Sequence, residues 1–169
     1  MKKTGIYMIA LLCLGSIKGL GQTYSFSGTI NPTVSIQPVM AFTLTNNGSP
    51  TLNFTNTQYS TGYTISNFNS FAIKSNQPWK LSVSAATANF SASGTYSSSN
   101  MPASVIGVVK NGQTPYVQLT TTDQTLATGN RGNTSTTGNS FNMDFKANPG
   151  YNYGPGIYTL SIVYTLTAQ

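Results

Sequence analysis

Few side chains in this 169-residue chain could carry out a reaction, and those few are scattered. Histidine and glutamate are absent, Asp123 and Asp144 are the only acids, and Cys13 is the only thiol. Without histidine, no Ser-His or Cys-His nucleophile pair can form, and no imidazole metal site. The two aspartates lie in different segments without Asp-x-Asp spacing, which leaves a paired-carboxylate hydrolase and a calcium loop without their ligands. Serine is abundant, but Lys74, Lys80, Lys110 and Lys146 are preceded three residues earlier by Phe71, Gln77, Gly107 and Met143, so a Ser-x-x-Lys nucleophile is missing. No Gly-Lys pair is present to cradle a phosphate. The expectation is a non-catalytic protein, not an enzyme, with no cofactor and no metal. One covalent option stays open: a buried lysine joined to an asparagine side chain with loss of ammonia, helped by an acid. Lys80 or Lys146 with Asp144 would supply the parts, against the ordinary reading of lysines on solvent-facing strand sides.

What remains is the chemistry of contact, and its candidates are aromatic. Trp79 alternates with Leu81 and Val83, a spacing that suits a core anchor first and a sugar- or wall-contacting ring second. Tyr164 and Leu166 alternate in the same way near the C-terminus. Tyr151 and Tyr153 sit between Pro149-Gly150 and Gly154-Pro155, on a turn stiff enough to present flat rings with polar tips to a ligand.

These residues must be positioned by strands. In the stretch Gly156–Thr167, Tyr158, Leu160, Ile162, Tyr164 and Leu166 fall on one side and Thr159, Ser161, Val163, Thr165 and Thr167 on the other, the pattern of a long half-buried strand. Trp79–Ala85 repeats it after the Asn76-Gln77-Pro78 turn. Further strands are expected at Tyr24–Ile30, at Val34–Ile36 between two prolines, at Tyr63–Ile65, at Phe71–Lys74 and at Phe141–Lys146. Ala41–Thr45 and Leu52–Thr55 flank Asn46-Asn47-Gly48 and read as a hairpin, and Ser104–Lys110 and Tyr116–Thr120 flank Asn111-Gly112. Ser91–Asn100 reads as a surface loop or frayed edge. Residues 129–140, nearly all Gly, Asn, Ser and Thr around Arg131, bury too little to be ordered by packing. Helical periodicity is lacking. About nine to eleven short strands with turn signals every eight to twelve residues specify an all-β fold, a single antiparallel β-sandwich of Ig-like or fimbrial-like type.

The N-terminus reads as a signal peptide, residues 1–21: Lys2 and Lys3, an apolar run from Ile6 to Leu14, and Gly19 and Gly21 before Gln22. The run is too short to span a bilayer, and no second one follows. The mature chain of 148 residues would be one domain, 22–169, without cysteine and with a net charge of +3 from singly scattered residues, which argues against nucleic acid. Ser, Thr and Asn make up 60 of those 148 residues, a polar and nearly uncharged surface suited to extracellular contact. The expected location is outside the cytoplasm: cell surface, extracellular space or periplasm.

Trp79-Lys80-Leu81 in mid-chain, with Gly156-Ile157-Tyr158-Thr159 and Tyr164-Thr165-Leu166-Thr167 at the close, resembles the WxL domain of bacterial cell-surface proteins. Tyr164 stands where that family's second motif has Trp, and the likeness covers the latter half of the chain. The closing strand is similar also to those of fimbrial and spore-coat-like sandwiches. The WxL resemblance implies an exported β-rich module held non-covalently at the cell envelope, with Trp79, Leu81, Tyr164 and Leu166 among its contact residues. Two roles follow as expectations. One is an interaction module that binds envelope polysaccharide or a partner surface protein through the Trp79 strand end and the Tyr151/Tyr153 loop. The other is a structural subunit of a fibre, pilus or sheath, a homo-oligomer built by strand addition through the N-terminal segment.

Overall fold

The computed structural model describes residues 33–46 and 50–169; the expected signal segment, the Tyr24–Ile30 alternation and the Asn47-Gly48 turn lie outside them. Residues Ile36–Gln169 form one compact unit. It is an all-β, antiparallel, sandwich-like fold with ten strands among the described residues, as the alternating sequence requires.

One sheet has the order β1-β2-β8-β5-β6, from β1 (Met40–Asn46), β2 (Tyr63–Ser75), β8 (Ser140–Ala147), β5 (Ile106–Lys110) and β6 (Val117–Gln118). The second has the order β10-β3-β7, from β10 (Ile162–Ala168), β3 (Trp79–Ala85) and β7 (Gln124–Gly129). A small ribbon pairs β4 (Ser91–Ser93) with β9 (Ile157–Thr159). The core between the sheets is built from Phe71, Ile73, Trp79, Leu81, Val83, Val108, Leu119 and Met143, all with essentially no exposed surface. Each comes from the apolar phase of an alternating strand or, for Leu119, from the chain just past β6, so burial of that phase drives the two layers together.

Several expectations are refined. Tyr63–Ile65 and Phe71–Lys74 belong to one 13-residue strand, interrupted by a bulge at which Asn67 takes a φ of 55°. That residue shifts the register so that Tyr63 and Ile65 on one side of the bulge, and Asn69 and Phe71 on the other, can each pair with β8. The closing stretch is two strands: β9 leaves to pair with β4, and after Leu160-Ser161 β10 pairs with β3. The Ser91–Asn100 stretch thus contributes a short edge strand.

Three expectations are corrected. β1 does not pair with Leu52–Thr55; it pairs with β2 throughout, from Met40↔Ser75 to Asn46↔Asn69. A turn signal reports only local geometry, whereas β2 offers β1 a long partner with Phe71 and Ile73 on its inner side. Leu52 and Phe54 pack half-buried on the core as irregular chain leading into a short helix, α1 (Asn56–Thr61), started by a Thr55 N–H bond to Gln58 Oε1 (2.9 Å). The second correction concerns residues 129–140, which are ordered. Gly132 and Ser75 exchange backbone hydrogen bonds (2.6 and 2.9 Å), and Asn139 is fully buried. Hydrogen bonds, not apolar area, order this loop. Val34–Ile36 forms no strand, and β7 had no clear apolar alternation to announce it.

Candidate functional site

Trp79 and Leu81 have no exposed surface, so neither presents a face to a ligand; this corrects their assignment as contact residues. The Trp79 indole donates from Nε1 to Asn139 Oδ1 (3.0 Å) and lies parallel to Phe141, with centroids 6.4 Å apart. Their strand is the middle one of its sheet, which encloses both. The two motif halves do meet: Leu166 is opposite Leu81, Tyr164 opposite Val83 and Ala168 opposite Trp79 on the adjoining strands β10 and β3.

Tyr164 and Leu166 are half-buried on an edge. Among the described residues β10 has β3 on one side and no strand on the other. Gln169 N–H bonds Pro78 O (3.0 Å) and Ala86 N–H bonds Ser161 O (2.9 Å), which fixes the phase of the ladder. Because antiparallel pairs alternate, Val163, Thr165 and Thr167 spend their backbone groups on β3. Ile162, Tyr164, Leu166 and Ala168 turn theirs outward, while the side chains of Ile162, Tyr164 and Leu166 face the core.

The matching edge of the larger sheet is β1, and the two edges approach each other. Met40, Phe42 and Leu44 share the inward phase, opposite Ser75, Ile73 and Phe71. Yet Met40 and Leu44 are only half-buried, and Phe42 is 38% exposed. A file of rings crosses the opening: Phe42 to Phe71 (6.2 Å) and Phe71 to Tyr164 (4.9 Å, edge-on). Inner-face residues that remain half open on both sheets at one edge mark out a candidate groove. The sequence signal for it was the apolar phase of Ala41–Thr45, which reads equally well as a closed hairpin strand.

The Tyr164 hydroxyl, inside this edge, is buried without a hydrogen-bond partner, as is Asn69 Oδ1 beside it. Burial, the larger cause, pushes the phenol up to about 12 from 10.0, and the Asn69 side chain acts in the opposite direction without a bond of normal geometry. Below pH 10 the group is neutral folded and unfolded, so its contribution is constant. Between about pH 10 and 12 the unfolded chain ionises first, and stability should fall by up to about 3 kcal/mol. Tyr164→Phe should remove that part of the alkaline loss. At pH 8 it should stay within about 1 kcal/mol of wild type, since the hydroxyl has no bond to lose. Urea midpoints of both proteins at pH 8 and 11 test this.

Tyr151 and Tyr153 belong to a different surface. Tyr151 is 70% exposed and stacks on Tyr59 of α1, centroids 5.1 Å apart, with its hydroxyl 3.4 Å from Asn56 O. Phe54 lies against Tyr59 and Tyr63, which completes an aromatic cluster around α1 that spacing alone did not reveal. Tyr153 is half-buried. The loop is held by Gly154: its N–H bonds Ser98 Oγ (3.0 Å) and its carbonyl accepts from the Tyr158 hydroxyl (2.5 Å).

For the covalent option, Asp144 accepts from Asn67 N–H (2.8 Å) and from the Asn111 amide (2.9 and 3.0 Å). It ties the β2 bulge to the turn after β5, and the bonds that hold it come from asparagines, not from Lys80 or Lys146. Among the described residues no group of three or more His, Cys, Asp or Glu side chains could hold a metal ion, and no helix is long and apolar enough to cross a membrane. Comparison with known protein families gives no match, and comparison with curated proteins gives none either.

Proposed function

We propose that this protein is an exported, non-catalytic contact module of the cell envelope that takes an extended segment of a partner protein as an added strand at its β1/β10 edge. One observation carries the reading: the inward phases of both edge strands, Met40, Phe42 and Leu44 on one side and Ile162, Tyr164 and Leu166 on the other, stop half covered at the same opening. An added strand would find outward backbone groups on β10 and apolar side chains beneath it, so pairing gives affinity and the groove gives register. A second reading has its own support. The exposed Tyr151 ring, backed by Tyr59, is a preformed flat face suited to an envelope polysaccharide.

Retention on the producing cell separates the two. Phe42→Lys places a charge in the opening at a position already partly in solvent, and should release the protein into the medium, whereas Tyr151→Ala should leave it bound. Release by Tyr151→Ala alone, with loss of binding to purified envelope polysaccharide, would transfer the function to the aromatic cluster.

A further inference from the structure

We propose that a cleft beside β6 binds a carboxylated sugar, a hexuronate unit of an acidic polysaccharide, with Lys146 holding the carboxylate and Tyr116 the face of the sugar ring. The inference does not rest on the open β1/β10 edge. In the order β1-β2-β8-β5-β6, the cleft lies at the end of the sheet away from β1.

The cleft has a volume of about 530 Å³, within the range of small-molecule sites, and is lined by Ser104, Pro115, Tyr116, Gln118, Lys146 and Asn148. Strand register gathers these residues. Gly107 of β5 pairs with Gln118 of β6 on one side and with Lys146 of β8 on the other, so the three positions form a row on one face of the sheet. The middle of that row has no side chain. A β-carbon on Gly107 would come within 2.9 Å of both Gln118 Nε2 and Tyr116 Cβ, so its absence lets these two residues lie down over β5. The opposite wall is also set by a glycine. A β-carbon on Gly62 would lie 3.2 Å from Lys146 Cε, so the lysine stem runs close past bare backbone. The Asn148 N–H bonds Val105 O (3.0 Å) and fixes the end of this wall.

The chemistry follows from what these groups leave unused. The side chains of Ser104, Tyr116, Gln118, Lys146 and Asn148 form no hydrogen bond or ion pair with any other described residue. Lys146 is half-buried, yet Asp144, two residues before it, is occupied by the Asn67 N–H and the Asn111 amide. The ammonium is thus a point charge in want of an anion. Burial first, and the Asp144 charge second, raise the Tyr116 phenol above its usual 10.0, so it stays a neutral donor. The Asp144 charge is felt at Tyr116, which suits the uncharged face of a ring there and the carboxylate at Lys146. One lysine without an arginine is a thin donor set for a phosphate. A single charge, a tyrosine with a proline beside it, and a hydroxyl and two amides match a polyhydroxylated ring that carries one carboxylate.

The test uses protein purified from cells that express the full sequence, isotope-labelled, with amide shifts followed by NMR as trimers of galacturonate, glucuronate and mannuronate are added. At least one trimer should give saturable shifts at Gly107, Gln118 and Asn148. Its methyl ester, the same sugar without the charge, should bind about tenfold more weakly. Lys146→Met and Tyr116→Ala should each weaken the acid by about tenfold with unchanged circular dichroism, and Lys146→Arg should keep most of the affinity. Phe42→Lys and Tyr151→Ala should bind as wild type does, which separates this result from the cell-retention assay. No shift with any of the trimers would overturn the inference, as would an ester that binds as tightly as the acid. Acetate or inorganic phosphate moving the same amides at the same concentration would overturn sugar recognition and leave a simple anion site. Shifts confined to Tyr59 and Tyr151 would move the polysaccharide to the aromatic cluster instead.

Discussion

Trp79→Ala should cost about 4–5 kcal/mol of folding stability, the largest loss expected from a single side chain here. Two contributions add. The first is the volume of a fully buried indole between β7 and Phe141, where surrounding strands cannot collapse to fill the space. The second is polar. Asn139 is itself completely buried, and its Oδ1 is held by the indole N–H, so removal of the ring leaves a carbonyl unsatisfied, a penalty of about 1–3 kcal/mol. Asn139 also orders its loop, since its Nδ2 bonds Asn133 O (3.1 Å) and its backbone carbonyl accepts from Ile73 N–H (2.8 Å). Trp79→Ala should therefore loosen residues 130–139 as well as lower the melting point, and amide exchange there should quicken before global unfolding. Trp79→Phe separates the two contributions. It restores much of the apolar volume but no donor, and should lose about 2 kcal/mol. Trp79 is the only tryptophan, so both variants must be followed by circular dichroism instead of fluorescence. A domain of this size has a total stability of about 5–15 kcal/mol, so the alanine variant approaches the limit of folding.

That residue also marks where the sequence was legible and where it was not. Alternation placed Trp79, Leu81 and Val83 on one side of a strand, and the structure keeps that phase without exception. The same logic held for Tyr164 and Leu166, for β8 and for the β5–β6 hairpin across Gly112, whose φ of 77° suits glycine. Period-2 patterning is enforced by which face is dry, and that information lies within each strand. Which strand neighbours which does not. β1 carried a turn signal pointing forward to Leu52–Thr55, but its inner face is satisfied by Phe71 and Ile73, farther along the chain. Ser82 and Ser84 read as solvent-facing and are buried, because short hydroxyls on a central strand sit below Val163, Thr165 and Thr125 on the strands beside them. Polar order was the hardest to see. Nothing in a run of Gly, Asn, Ser and Thr announces that one of its asparagines will be the buried partner of a tryptophan. The candidate groove lies between these cases: its lining was visible as apolar phases, and its openness became visible only with both edges in place.

Gly129→Ala tests the same packing from the opposite side and should cost about 3 kcal/mol, a fall of roughly 10 °C in melting temperature. Gly129 is the β7 partner of Trp79, and the indole sits directly against it. A β-carbon at this position would overlap Cζ2 and Cε2 of the ring and come within 2.7 Å of Nε1. The constraint is space, not dihedral angle, since Gly129 is not among the glycines at positive φ. A flexible side chain would swing aside, but this ring is fully buried, lies parallel to Phe141 and has its edge fixed by the Asn139 bond. Either the ring shifts and the Nε1–Oδ1 bond lengthens, or β3 and β7 separate. A smaller ring relieves the overlap, so Gly129→Ala should cost much less in a Trp79→Phe background than in wild type. A double-mutant cycle should return a coupling of about 1–2 kcal/mol. Equal costs in both backgrounds would mean that the added methyl group is accommodated without touching the ring, and that the indole is held less tightly than its burial and its bond to Asn139 require.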